Sequence, residues 1–305
     1  MNLLLNTLIF IIIYIVLTVS FDLVLGYAGL FSVAHAAFFA IGAYATALLA
    51  LHAGMPIELA ALIGAAICAA FSAILALMSM RVGEDYLVIA SFGFLSVVLA
   101  TFSNIPAFGG MVGIGNIPGP SLFGPGVVGA GEYAILFGIV AALIVGVVWV
   151  LANSPFGRAL KAIRENEVAA EALGKSSARF KTYAFTIAGA MGGIAGAMYA
   201  SYISYISPVA FGFDVNNLIF AMVILGGAGT VFGPLLGSAL LVTLPTVLSL
   251  MTLPPGWVGP VEQTGYGLLL VAFAMWRPNG LYGLLRYLAP RRILRPRQVE
   301  TGRAS

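Results

Sequence analysis

Long stretches of this chain carry almost no polar interruption. Apolar runs cover roughly residues 3–25, 27–51, 57–80, 86–103, 133–152, 182–206, 216–229, 233–251 and 263–276. They are continuous and do not alternate with period two, which argues against barrel strands. Most approach the roughly 20 residues that a helix needs to cross a bilayer. The pattern predicts an all-α polytopic membrane protein with about nine transmembrane helices, eight to ten being its range. Several runs are short or broken by glycine. The piece at 216–237 reads also as one span plus a re-entrant segment. The chain reads as one transmembrane domain over 1–305, with a loop at 153–181 and a basic tail at 285–305.

Composition agrees with the pattern. Of 305 residues only 8% are charged and 61% are hydrophobic, against about 25% charged in a soluble domain. A water-facing surface cannot be built from so few charges, and disorder needs the opposite composition. The first 25 residues lack a basic leader region, and Asp22 stands where a cleavage site would lie. They read as a first spanning helix and not as a removable signal.

The placement of charge gives an orientation. Of the 14 Lys and Arg residues, all but Arg81 fall in two clusters: Arg158, Lys161, Arg164, Lys175, Arg179 and Lys181, and then Arg277, Arg286, Arg291, Arg292, Arg295, Arg297 and Arg303. The positive-inside rule puts Arg81 and both clusters in the cytoplasm. The interruptions near 52–58, 103–132, 207–215 and 251–264 hold no Lys or Arg and read as external. Alternating sides then places the N-terminus outside and the C-terminus inside. The external segment 104–131, rich in Gly and Pro and free of Lys and Arg, is expected to fold back onto the protein.

Catalytic chemistry is not visible. One cysteine, Cys68, and two histidines, His35 and His52, support neither a disulfide nor a metal site. Gly174-Lys175-Ser176 resembles the end of a phosphate-binding loop, but Ala169 stands where its first glycine belongs, and the segment does not follow a strand. No cofactor, metal or nucleic acid is expected.

The loop at 153–181 is the informative polar segment. Ser154 suits a helix N-cap, Pro155 the first helical position and Gly174 the stop. The residues between form helix readily, and Lys161/Glu165 and Glu171/Lys175 have pairing spacing. Ala159, Ala162, Ile163, Ala170 and Leu173 make a face of mostly small residues. This suits a protein groove better than a membrane surface, where bulky side chains are usual. A solvated helix is the plainer alternative. Leu25-Gly26-Tyr27-Ala28-Gly29 also recurs as Leu225-Gly226-Gly227-Ala228-Gly229. Paired glycine breaks often mark a transport pathway, although chance recurrence is credible with 37 glycines.

Several segments, in order, resemble permease subunits of branched-chain amino-acid ABC transporters of the LivM type. They are Gly26 to Gly29 with Ser32 to Tyr44; Gly83-Glu84-Asp85-Tyr86-Leu87; Gly157 to Glu165; Glu171-Ala172-Leu173-Gly174; Ile206-Ser207-Pro208; Leu225 to Thr230; and Arg277-Pro278-Asn279-Gly280-Leu281. The resemblance spans about residues 20 to 285. It implies an importer subunit of the bacterial inner membrane, pairing with a paralogous permease, two cytoplasmic ATP-binding subunits and an external substrate-binding protein. ATP hydrolysis would belong to the partners. Residues 155–173 would be the coupling helix, with Arg158, Lys161, Arg164, Glu165, Glu171 and Gly174 on the matching motif, working by alternating access.

Two positions depart from the family. Asp22 stands where Asn is usual. An ionised Asp deep in a bilayer costs roughly 2.5–3.5 kcal/mol on insertion scales, so a solvated Asp22 near the inner end of the first span is expected. Val112 replaces a usual Asn in the external loop, which weakens the expectation of a standard amino-acid substrate. Urea, short amides and aromatic acids are the rivals.

Polar groups inside spans face protein or water more often than lipid. Ser32, His35, Tyr44, Asn216, Asn217 and Thr230 are therefore candidate pathway residues, with ordinary helix-packing hydrogen bonds as the simpler account. Gly189, Gly192, Gly193 and Gly196 form small-xxx-small pairs that allow close helix contact. A stand-alone secondary carrier is the rival class. It would need deep membrane carboxylates, and Asp22 is the candidate.

Overall fold

The computed structural model describes residues 2–79, 84–120, 129–250 and isolated positions between 261 and 283. The basic tail, Arg81, Gly83 and Arg277–Asn279 lie outside the described residues, as does most of the expected span at 263–276.

The described chain is a helical bundle. In order run α1 (Asn2–Asp22), a π turn (Leu23–Tyr27), α2 (His35–His52), α3 (Ile57–Ser79), α4 (Glu84–Asn104), α5 (Ala130–Asn153), α6 (Pro155–Glu165), α7 (Glu167–Ala172), α8 (Ser177–Ile203), α9 (Phe213–Gly226) and α10 (Gly233–Leu250). Among the described residues seven helices are long and apolar enough to span a membrane, and Gly233–Val247 is a shorter apolar one. The first seven runs read from the sequence each hold one of them.

Helix α8 is the axis of the bundle and packs along α2 and α3. Glycines permit the approach. A Cβ on Gly196 would lie 2.1 Å from the Phe39 carbonyl oxygen, and one on Gly42 would lie 2.2 Å from that of Gly193. Gly189 faces Ser72 and Gly193 faces Cys68 on α3, while Gly192 meets Phe38 and His35 at ordinary contact distance. The stripe Gly189–Gly196 is thus spent on contacts inside this subunit. Helix α1 lies across α5, α8, α9 and α10. Its Thr7 hydroxyl shares a 3.0 Å hydrogen bond with that of Thr246 on α10.

The Gly- and Pro-rich segment 104–131 folds back, as far as it is described. Ile114–Gly115 (β1) pairs antiparallel with Tyr205–Ile206 (β2). Ile117 is buried, and its N–H bonds the Ser204 carbonyl at 3.2 Å. Residues 121–128 lie outside the described positions.

Candidate functional site

The segment after α5 starts as its sequence reads. The Ser154 side chain accepts hydrogen bonds from the Phe156 and Gly157 N–H groups, and Pro155 fills the first helical turn. The expected single helix 155–173 is corrected to two. The backbone breaks at Asn166, which is extended (φ −156°, ψ 99°), and its Oδ1 caps α7 by accepting the Ala169 N–H at 3.0 Å. Asn in front of Glu167 is a good start signal, which makes the break readable in retrospect. Gly174 then turns with φ +79°.

The expected docking face is also corrected. Ala159, Leu160, Ile163 and Ala170 are buried, with Leu160 in the apolar core of the bundle. Ala162 is exposed. Leu173 of that face stays free, 80% exposed, and is joined by Val168, 78% exposed, which lay outside it. A helix beside a bundle turns its apolar stripe to the nearest core, so the Ala-rich face is consumed at home.

The charged residues act as ties. Lys161 sits over the Tyr27 ring, 4.7 Å from its centre, instead of pairing with Glu165. Glu171 accepts a hydrogen bond from the Ser177 hydroxyl, and Lys175 lies over Phe180. Glu167 and Lys181 form a 2.8 Å ion pair with Lys181 almost fully covered. Arg158 bonds the Asn153 carbonyl at 2.8 Å, and Arg164 donates to the Gly26 carbonyl. Glu165 is exposed. Helix α6 is thereby tied to the π turn, and α7 to the base of α8.

Asp22 corrects a further expectation. It is 1% exposed, not solvated. Its Oδ1 accepts the Gly229 N–H at 2.8 Å, and the positive charges of Arg164 and Lys161 act on it. These partners offset part of the cost of its burial. The two sequence echoes therefore touch: Gly26 lies against Gly229.

The candidate pathway residues fall on two levels. Ser32 and His35 lie near the π turn. The Ser32 hydroxyl accepts the Ala34 N–H at 3.1 Å. His35 is fully buried, edge-on to Phe21 and Phe38 with centroids 5.0 and 5.8 Å away, and neither ring nitrogen has a partner among the described residues. Thr230 accepts the Gly233 N–H and donates to the Gly227 carbonyl, so it shapes the α9–α10 turn. Tyr44 lies nine residues beyond His35 on α2, about 13.5 Å along the helix. It stacks on Phe102 at 4.1 Å, and its hydroxyl has no partner among the described residues. Asn216, in the first turn of α9, is buried with its Oδ1 unpartnered, whereas Asn217 is exposed. A cavity of about 270 Å³ between α3, α5 and α8 is lined by Ile57, Leu62, Phe137 and Met198 among others. None of the candidate polar residues lines it.

The fold and these broken helices define a multi-pass membrane protein. Comparison with known families carries this further. The family model described as branched-chain amino acid transport system / permease component matches residues 3–274, and the chain belongs to that family. It is a permease subunit of a transport system and not an enzyme. The LivM branched-chain amino acid permeases of Salmonella typhimurium and Escherichia coli are each 32% identical over 298 residues, covering 90% of this chain and 68% of theirs. A probable LivM permease of Methanocaldococcus jannaschii is 29% identical over 221 residues, covering 68% of this chain and 63% of its own. An autoinducer 2 import permease, LsrC, of Yersinia pseudotuberculosis is 30% identical over 120 residues, 38% of this chain and 34% of its own. No solved structure matches.

Proposed function

We propose that this chain and a paralogous permease form the translocation path for branched-chain or related amino acids in the bacterial inner membrane. Two ATP-binding subunits drive it from the cytoplasm, and an external binding protein delivers substrate. The observation that carries this reading is the α6–α7 element. It stands at the base of α8 among basic residues, is tied into the bundle by Arg164, Lys161, Glu167 and Glu171, and presents Val168 and Leu173 outward. Two exposed apolar side chains on a rigidly held knob suit a groove on an ATPase subunit. His35, Tyr44 and Asn216, whose buried polar atoms lack partners among the described residues, are the groups proposed to meet substrate in another state of the cycle. Ser32 and Thr230 shape the turns at the inner end of the path. Asn217 faces outward.

The test is affinity purification of the chain from its host with the accompanying ATPases quantified. The parent retains them, and V168D/L173D loses them by on the order of tenfold or more, as two apolar contacts are replaced by charge. Retention by the double variant would place docking elsewhere. Val112 favours a second substrate reading. It is 77% exposed on the external loop, so an apolar side chain stands where delivered substrate would arrive. Urea, a short amide or an aromatic acid is that alternative. Binding measurements on the partnered external protein decide between them.

A further inference from the structure

Two glycine turns, the π turn after α1 and the α9–α10 turn, meet at the end of the bundle that carries α6, and Gly280 lies against the second of them. The contact leaves no room for side chains. A Cβ on Gly26 would lie 2.2 Å from the Gly229 nitrogen, and one on Gly280 would lie 2.5 Å from the Gly227 nitrogen.

Two polar side chains close this junction. Asp22, the last residue of α1, accepts the Gly229 N–H at 2.8 Å. Arg164, from α6, donates to the Gly26 carbonyl. That carbonyl is free because the helix ends one residue after it. In an α-helix it would accept the Leu30 N–H, but Leu30 bonds Val24 at 3.0 Å instead. The guanidinium also borders the second turn, since a Cβ on Gly229 would lie 3.2 Å from Arg164 Nη1. The aliphatic part of Arg164 covers Gly29. One side chain of α6 therefore touches both breaks, and one carboxylate binds the breaks to each other.

We propose that Asp22 and Arg164 are positioning residues forming a latch that delivers a displacement of α6 to the α1 and α9–α10 breaks together. This rests on the reading of α6–α7 as the element that docks on the ATPase. The geometry favours transmission because the main chains of the two turns are in direct contact at Gly26 and Gly229, and the short Asp22 side chain bonds one turn to the other. Lys161 over the Tyr27 ring adds a second contact from α6 to the same turn. A simple brace would hold the fold without passing on motion, and the two roles differ in what they do to coupling.

The experiment uses the complete transporter in liposomes and measures substrate imported per ATP hydrolysed. D22A and R164Q are expected to lower that ratio by about fivefold or more, because hydrolysis then proceeds without moving the breaks. D22N is expected to stay within about twofold of the parent, because its amide oxygen still accepts the Gly229 N–H. A brace lowers import and hydrolysis in parallel, and an unchanged ratio in D22A and R164Q would overturn the latch. Where R164Q does not assemble, R164K decides. It keeps the charge but reaches as a point donor, so a fall of more than about twofold supports the latch and a smaller one overturns it. Hydrogen exchange on the purified chain alone provides a readout that needs no ATPase. R164Q and D22A should raise exchange at the amides of both 23–30 and 226–230. Exchange unchanged in either segment rejects the latch. Exchange raised in both, with no ATPase retained by the parent, rejects the docking reading instead.

Discussion

The residues that best separate structure from function here are those whose polar atoms the fold leaves idle. Many buried polar side chains in the bundle bond a nearby carbonyl, as Thr18, Ser20, Ser72 and Ser91 do. His35 does not, and its ring is treated by the protein as an aromatic filler between Phe21 and Phe38. Phenylalanine is close to it in shape, so His35→Phe should cost less than about 1.5 kcal/mol of stability. Import should nevertheless fall by on the order of tenfold if the imidazole meets substrate, the size of one lost polar contact. Thermal unfolding together with uptake in proteoliposomes checks both parts, and unaltered uptake removes His35 from the path. The sequence marked His35 as polar within an apolar run but could not distinguish a bonded histidine from an idle one. That difference is made by rings contributed from α1 and from the next turn of α2.

At the scale of elements, helix starts and stops were legible and faces were not. Ser154, Pro155 and Gly174 carry local signals that work through the nearest few backbone groups. The break at Asn166 is local too, but it hides among good helix formers. The choice of buried face depends on where the bundle core stands, which no local pattern records. The glycine stripe of α8 shows the same division. Its spacing announced close packing, and only the fold shows that α2 and α3 are the partners. Gly196→Val should therefore destabilise the chain by about 1–3 kcal/mol or prevent its accumulation, since its side chain would strike the Phe39 carbonyl. Gly138→Ala, on α5 with nothing within 4 Å of the added carbon, should be neutral or mildly stabilising. Melting curves of the two variants in one detergent test the contrast.

For the molecule as a whole, the scarcity of charge was enough to announce a membrane protein, and the positions of the remaining charges proposed its orientation. Run lengths located the first seven spans because each is bounded by polar or glycine-rich sequence. The second span begins at His35 and not at 27, because the glycine break unwinds residues 28–34. The sole cysteine, Cys68, is fully buried, so single introduced cysteines can be read cleanly. His52→Cys, exposed at the far end of α2, should react with an impermeant maleimide in spheroplasts. Arg179→Cys, exposed beside the α6–α7 element, should react only after the membrane is opened. The reverse pattern would invert the orientation.

The junction at Gly26 and Gly229 has a consequence for how such subunits diverge. Three of its four hydrogen-bonding partners are a main-chain N–H, a main-chain carbonyl and a carboxylate oxygen that an amide oxygen can replace. Side-chain identity at position 22 is therefore free to drift between Asp and Asn while the joint keeps its form. The glycines are not free in this way, because any added carbon drives the two turns apart. A subunit that rebuilds the walls of its path for a different solute can keep this joint as long as both positions stay free of side-chain bulk.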